Sequence, residues 1–174
     1  MSALLLLPIL ASAETLDLGG HGTLSISVPK DWKLTSTKEE DSGYALVLSP
    51  PGEVNAKCLL NLVFVPKGEP TSKDDVNEKV LNASDQFVDA SVEKKKVLRH
   101  FNLAGGAYGA YCVFTDASLV GQAPKKDDFK MLAVGIIRFN DDVSASVSLL
   151  ADDEKGPDFA AMLAAVSSAT VTTK

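Results

Sequence analysis

Residues 56–65 read AKCLLNLVFV, and this stretch decides the fold class. Between Cys58 and Val65 only Asn61 is polar, so apolar side chains fall on both faces of an extended chain. A strand with two apolar faces needs other elements packed above and below it. The sequence therefore predicts a strand that is covered on both faces.

A second stretch, residues 129–139, has the same two-sided pattern and is also predicted to form a buried strand. The neighbouring predicted strands are connected as hairpins. Residues 16–28 alternate around a glycine-rich turn, and strands at 92–103 and 108–117 are joined by a pair of glycines. Hairpin connections favour an antiparallel sheet over a parallel nucleotide-binding sheet. Further strands are predicted at about 44–48 and 143–149.

Two amphipathic segments are available to cover this sheet. The first, residues 73–90, has apolar residues at helical spacing and follows Ser72 and Asp75, which have the S-x-x-D order of a capping box. The second begins at Pro157, and proline is well suited to the first position of a helix. We therefore expect an α+β protein with an antiparallel sheet of about six or seven strands sandwiched between helices, a three-layer α/β/α arrangement.

The length and the net charge of the chain limit the kinds of partner that it can bind. A chain of 174 residues can bury a core without a metal or many disulfides. Its 17 basic and 23 acidic residues give a formal net charge of -6, the wrong sign for a protein that binds phosphate backbones or anionic lipid. We therefore expect no nucleic-acid partner.

The first thirteen residues are typical of an export signal. An apolar run at 3–11 leads into the tripeptide ASA at 11–13, the A-x-A form that signal peptidase cleaves, and the run is too short to span a bilayer. No cysteine follows it as a lipoprotein anchor would require. The prediction is a signal peptide at 1–13 and one domain at 14–174, soluble in the periplasm or outside the cell, with no stable membrane anchor. A buried N-terminal strand or helix is the alternative.

The sequence offers little catalytic machinery. His21 lies in a glycine turn and His100 in a predicted strand, and neither has a second ligand at metal-binding spacing. The chain has no G-x-S-x-G nucleophile elbow and no phosphate-binding P-loop. We therefore predict no catalytic residue, no metal and no cofactor.

The two cysteines, Cys58 and Cys112, occupy the middles of two predicted strands. In an exported protein they could form a disulfide, which the chain-entropy model credits with about 4 kcal/mol for a loop of this length. That bond requires Cα atoms within about 7 Å of each other. The alternative is a pair of reduced, buried cysteines, and the sequence leaves both open.

Two features could contact a partner. Lys94, Lys95 and Lys96 form the main basic concentration, on the predicted strand 92–103, where a solvated strand edge is the principal interpretation and a docking site is the other. Trp32 is interpreted as a core or sheet-end residue, with partner contact as its alternative role.

The order of elements resembles the PsbP-like superfamily. The resemblance rests on LSISVP at 24–29 followed by KDW, on the helix that begins after Ser72, and on the final F-x-x-M-L-x-x-V pattern at 159–166. This superfamily includes the extrinsic lumenal subunit of photosystem II, the Mog-type Ran-binding factor of yeast and bacterial exported proteins of unassigned role. The resemblance implies an antiparallel sheet between helices and a non-catalytic binding or assembly role. It implies no site residues, because no Ran-binding or photosystem-docking residues match.

The expected function is that of a soluble exported module, not an enzyme, which binds a protein partner or aids assembly at the cell envelope. The alternative is a carrier of a small apolar ligand or lipid, which would need an apolar cavity of several hundred cubic ångströms under the helix 72–90. A hydrolase or metal enzyme that uses His21 or His100 is a remote alternative, and it would need these histidines close to carboxylates.

Overall fold

The computed structural model describes residues 11–39, 43–66, 72–123 and 125–173. Within these ranges the chain is α+β, with antiparallel strands in two sheets and two α-helices. In chain order the elements are β1 (Ala11–Asp17), β2 (Thr23–Pro29), β3 (Lys33–Glu39), β4 (Gly43–Ser49), β5 (Lys57–Phe64), α1 (Lys73–Val88), β6 (Arg99–His100), β7 (Tyr108–Thr115), β8 (Met131–Arg138), β9 (Val143–Ala151), α2 (Pro157–Ser168) and β10 (Thr170–Thr172).

The larger sheet has seven strands in the order β3-β4-β5-β9-β8-β7-β6, and every neighbouring pair is antiparallel. Most neighbours in this sheet are also consecutive in the chain, as hairpin connections require. The predicted antiparallel sheet and its size are therefore confirmed. The strand β9 inserts between β5 and β8, so it lies at the centre of the sheet.

The register of these pairs divides the sheet into two faces. Residues paired across antiparallel strands point to the same side of the sheet. One face, the core face, carries the aligned residues Leu46, Leu60 and Val147. The other, the back face, carries Val47, Leu59 and Ser148.

The core face is covered by a three-stranded sheet and by α2. The small sheet has the order β1-β2-β10, and the alternate residues Leu24, Ile26 and Val28 of its central strand are buried. The helix α2 contacts β2 and β9, and it buries Phe159 and Met162 in the same hydrophobic cluster. The predicted proline at the first position of this helix is confirmed.

The helix α1 begins with the predicted capping box. The hydroxyl of Ser72 accepts a hydrogen bond from the N–H of Asp75, and the Asp75 carboxylate accepts one from the N–H of Ser72. The helix ends at Val88, two residues before the predicted end. It contacts β7 and β8 on the back face, where Val80 and Cys112 belong to a second, smaller hydrophobic cluster.

Three predictions about individual strands are wrong. The back face of β5 is not covered along its length: Asn61 is exposed and Val63 is 44% exposed. The predicted strand 92–103 forms only the two-residue β6: Lys94 has a positive φ of 52°, and the side chain of Lys96 bonds to Leu81 and Asp85 of α1. The third difference is β3, an edge strand at residues predicted to begin a loop.

The small sheet was also not predicted as a separate unit. The hairpin at 16–28 is present as β1 and β2, but it pairs with β10 rather than joining the large sheet. No helix within the described ranges is both long enough and apolar enough to cross a membrane.

Candidate functional site

A pocket of about 250 Å³ opens between the C-terminal end of α1 and the back face of the large sheet. Its lining is mainly apolar, and the rings of Phe87 and Phe114 lie 5.7 Å apart between centroids. The larger apolar residues that line it are Phe87, Phe114, Phe129, Met131, Leu132 and Leu150, of which Met131 has its side chain in the main hydrophobic cluster on the core face. The pocket lies under the end of α1, the helix beneath which the carrier alternative requires a cavity.

The floor of the pocket is one row of the back face. Phe114 is paired with Leu132, and Leu132 is paired with Leu150, so these three side chains follow one another across β7, β8 and β9. The last turn of α1 brings Phe87 over this row, and Ala90 follows just after the helix. Three strands and one helix therefore fix the apolar walls.

Asn55 holds the turn that carries Phe129 and Lys130. Its side-chain amide donates to the Asp152 carboxylate over 3.0 Å, and its amide oxygen accepts from the N–H of Asp127 over 3.1 Å. The same carboxylate accepts from the N–H of Lys130 over 3.3 Å. These bonds tie the turn before β8 to the segments before β5 and after β9, so this side of the pocket is held by hydrogen bonds.

The opposite side of the pocket is held by Glu93. Its carboxylate accepts hydrogen bonds from the N–H and the hydroxyl of Thr115, each 2.8 Å long. Partial burial alone would raise the pKa of Glu93, but the hydrogen bonds from Thr115 outweigh it and lower that pKa. The segment that follows α1 is therefore fastened to the end of β7, where Ser91 and Thr115 line the pocket.

Two charged residues line the pocket, Asp116 and Lys130. The Asp116 carboxylate already accepts hydrogen bonds from the hydroxyl and the N–H of Ser118, and these bonds lower its pKa. The ammonium group of Lys130 makes no hydrogen bond or ion pair with another residue in the part of the chain that the structure describes. Among the described residues, the pocket thus combines apolar walls with an ammonium group that makes no ion pair, that of Lys130, and a carboxylate bonded to Ser118, that of Asp116.

Beyond α1, part of the back face carries no other described element. The exposed members are Asn61, Val63 and Ser146, while Val47 and Leu59 are half-buried. We call this area, which spans β4, β5 and β9, the uncovered face. It is the second candidate surface, because it exposes Val63 and leaves Val47 and Leu59 partly exposed, and exposed apolar side chains are common at sites of association.

The structure does not bring together the two cysteines that the sequence left as either bonded or reduced. Cys58 on β5 and Cys112 on β7 are separated by β9 and β8, a span of about 14 Å at the usual spacing of about 4.8 Å between strands. Cys58 also faces the core face and Cys112 the back face. Both thiols are free and buried, and burial raises the pKa of Cys58 to about 12. The alternative of two reduced cysteines describes the structure.

The three lysines of the predicted basic cluster differ in their contacts. Lys94 donates to the carbonyl of Asp89 over 2.6 Å, and Lys96 donates to the carbonyl of Leu81 over 3.2 Å and pairs with Asp85. These two side chains fasten the segment after α1 back onto that helix. Lys95 is exposed, so a docking role for the cluster remains a prediction that rests mainly on this residue.

The structure packs Trp32 at the end of β2. Its backbone N–H donates to the carbonyl of Pro29 over 3.1 Å, and its partly buried ring packs against the main hydrophobic cluster. Its position agrees with the interpretation of a core or sheet-end residue.

The two histidines lie in aromatic surroundings. The ring of His21 stacks on Phe64 with 3.8 Å between centroids, and the ring of His100 lies 5.5 Å from that of Tyr108. Neither forms a hydrogen bond or ion pair with a carboxylate in the described ranges. Among the described residues, no group of three or more His, Cys, Asp or Glu side chains is arranged to hold a metal ion.

The pocket residues were not identified from the sequence as a site. The signal for them was present in part, because Leu132 belongs to the two-sided strand 129–139 and Phe87 to the apolar stripe of the helix. Their meeting with Phe114 and Leu150 depends on register between strands, which the sequence does not display. No family model matches the chain, and no curated protein shows detectable sequence similarity to it.

Proposed function

We propose that this chain is a soluble, exported binding module that docks a protein partner through the uncovered face and performs no chemistry of its own. The observation that carries the proposal is β5, a strand with apolar residues on both faces whose back face the described elements leave exposed at Asn61 and Val63. Exposed valine and leucine side chains on a sheet gain free energy when a partner removes them from water. Asn61 lies between Leu59 and Val63 on β5 and is paired with Ser146, so the face mixes apolar and polar groups, as non-obligate protein interfaces do.

The fold supports a PsbP-like assignment and a three-layer description. The helix α1 packs on the back face, while α2 and the small sheet pack on the core face. Members of that superfamily are mostly binding or assembly modules, and the role that we propose at the cell envelope is of the same kind.

Export is supported by the apolar run at 3–11 and by the tripeptide ASA that follows it. Residues 11–13 form the exposed start of β1, and cleavage after Ala13 would leave Glu14 to Asp17 paired with β2. Sequencing the N terminus of the exported protein tests this step. A chain that begins at Glu14 supports it, and a chain that retains residues 3–11 contradicts it.

Site-specific photocrosslinking tests the docking surface. A photoreactive phenylalanine at Val63 lies on the uncovered face, and the same residue at Val120, which is 62% exposed in a loop, serves as the control. In envelope extracts of the source organism, we expect one discrete crosslinked protein from position 63 and none from position 120. Equal or absent crosslinking at both positions contradicts docking through this face.

A second function, the carrier of a small apolar ligand, is favoured by the 250 Å³ pocket. Its test is calorimetric binding of two neutral probes, 1-octanol and 2-naphthalenemethanol. Because Ala90 lines the pocket, Ala90→Trp should abolish binding, whereas Ala160→Trp on the exposed side of α2 should leave it unchanged. Binding that survives Ala90→Trp would place the ligand elsewhere.

A further inference from the structure

We infer that the pocket at the end of α1 binds a small monocarboxylate: an apolar body held against the phenylalanine rings, with a carboxylate group at Lys130. This inference deepens the second proposed function and rests on it. It names the chemical class of the ligand, which an apolar lining alone does not give.

The volume sets the size of the apolar body. An engineered apolar cavity of about 150 Å³ accommodates benzene, which corresponds to about 25 Å³ for each carbon atom. On that scale the pocket of about 250 Å³ holds about ten carbon atoms. A fused bicyclic aromatic ring or a medium-length alkyl chain is of this size, whereas a membrane phospholipid is too large.

The walls favour such a body over a polar one. The row Phe114, Leu132 and Leu150 forms an apolar floor that three strands hold in place. The hydroxyls beside it are already engaged, because Thr115 donates to Glu93 and Ser91 donates to the carbonyl of Val88. A ligand rich in hydroxyl groups would therefore find few partners within the pocket.

The charges at the rim select the head group. Asp116 lies beside Lys130, because its backbone N–H donates to the carbonyl of Lys130 over 2.8 Å, but its carboxylate accepts hydrogen bonds from Ser118 and forms no ion pair with Lys130. Lys130 is half-buried, and its ammonium group makes no hydrogen bond or ion pair with the other described residues. An ammonium group that makes no ion pair within the described residues gains a charge-assisted hydrogen bond from a carboxylate ligand.

The position of Lys130 is fixed before a ligand arrives. The Asn55 network holds the turn on which it lies, and the N–H of Lys130 itself donates to Asp152. The backbone therefore need not reorganise to present the ammonium group, which lowers the entropic cost of binding.

Matched pairs of probes test the head group on the unmodified protein. We compare octanoate with 1-octanol and 2-naphthoate with 2-naphthalenemethanol by isothermal titration calorimetry at neutral pH and low salt. Within at least one pair, we expect the carboxylate to bind about three- to five-fold more tightly, the gain typical of a partly exposed ion pair.

Two variants test whether Lys130 causes the tighter binding of the carboxylate. Lys130→Met keeps the apolar stem and removes the charge, so it should abolish the preference for the carboxylate while leaving binding of the alcohol unchanged. Lys126→Met, on an exposed residue of the same turn that does not line the pocket, is the control and should retain the preference.

Each failure has its own meaning. Equal affinity for acid and alcohol in both pairs overturns the carboxylate head group and leaves the carrier function standing. A preference lost equally in Lys130→Met and Lys126→Met also overturns the assignment, because it would reflect general charge rather than a contact. Absence of binding by all four probes overturns this inference and the carrier function together.

Discussion

Glu93 and Thr115 are joined by two hydrogen bonds of 2.8 Å, one from the backbone N–H of Thr115 and one from its hydroxyl. This pair connects the segment after α1 to the last residue of β7, beside the pocket. It is a tertiary link between two residues that are 22 positions apart in the chain.

Removing this link should destabilise the fold. Glu93→Ala leaves the half-buried N–H and hydroxyl of Thr115 without their acceptor, at an expected cost of about 1–3 kcal/mol in the free energy of unfolding. Urea denaturation measures this cost. Glu53→Ala, in an exposed loop, is the control and should change the free energy by less than about 0.5 kcal/mol. Equal effects of the two substitutions would contradict a specific role for Glu93.

The same carboxylate should make stability depend on pH. The pKa of Glu93 is lowered in the folded protein, so its contribution is fully present above the pKa of an unfolded glutamate, about 4.3, and is lost as the pH falls through the lower folded pKa. The difference in unfolding free energy between the wild type and Glu93→Gln should therefore be largest near neutral pH and shrink below about pH 4. A difference that stays constant with pH would show that the charge does not matter.

The cysteines should behave as two inaccessible thiols. Burial raises the pKa of Cys58 to about 12, and both side chains are fully buried. Iodoacetamide should therefore add no group to the native protein, and two groups after unfolding in the absence of reductant, as measured by mass spectrometry. An unfolded protein that takes up no label until a reductant is added would contain a disulfide and contradict the geometry of the sheet.

Gly135 should tolerate no side chain. A Cβ atom at this position of β8 would lie 2.8 Å from the carbonyl oxygen of Ala110 and 2.9 Å from Cε2 of Phe101. Gly135→Ala should cost about 1–3 kcal/mol, as overpacked cores do. Gly20→Ala, where a Cβ atom meets nothing within 4 Å, is the matched substitution and should be close to neutral. The measurement is thermal unfolding of both variants. Equal midpoints for the two would contradict this expectation.

The sequence predicts those parts of the fold whose physical cause is local. The start of α1 follows from Ser72 and Asp75, because a capping box involves residues only three positions apart. Strands such as β9 follow from simple alternation of apolar and polar residues. In contrast, β3 has the sequence KLTSTKE, in which only Leu34 is apolar, so its extended conformation depends on pairing with β4.

The remaining features arise from pairing over long distances in the chain. The apolar pattern of β5 correctly predicts a strand but not that its back face stays open, since that depends on how far one helix reaches across the sheet. The pocket depends on the alignment of Phe114, Leu132 and Leu150, which come from three strands. Composition and periodicity contain no information about this register, so sequence reasoning found the helix above the pocket but not its floor.

The small sheet also constrains when the protein can finish folding. Its central strand β2 is bordered by β1 from one end of the domain and by β10, whose Val171 pairs with Leu24, from the other. Contacts between such distant segments form slowly, because a long loop must close before they are gained. The hairpin of β1 and β2 can form early during synthesis, but its free edge stays open until residues 170–172 pair with β2. Final closure of the core therefore waits for residues 170–172, and until then β2 has an unpaired edge that must be kept from pairing with other chains.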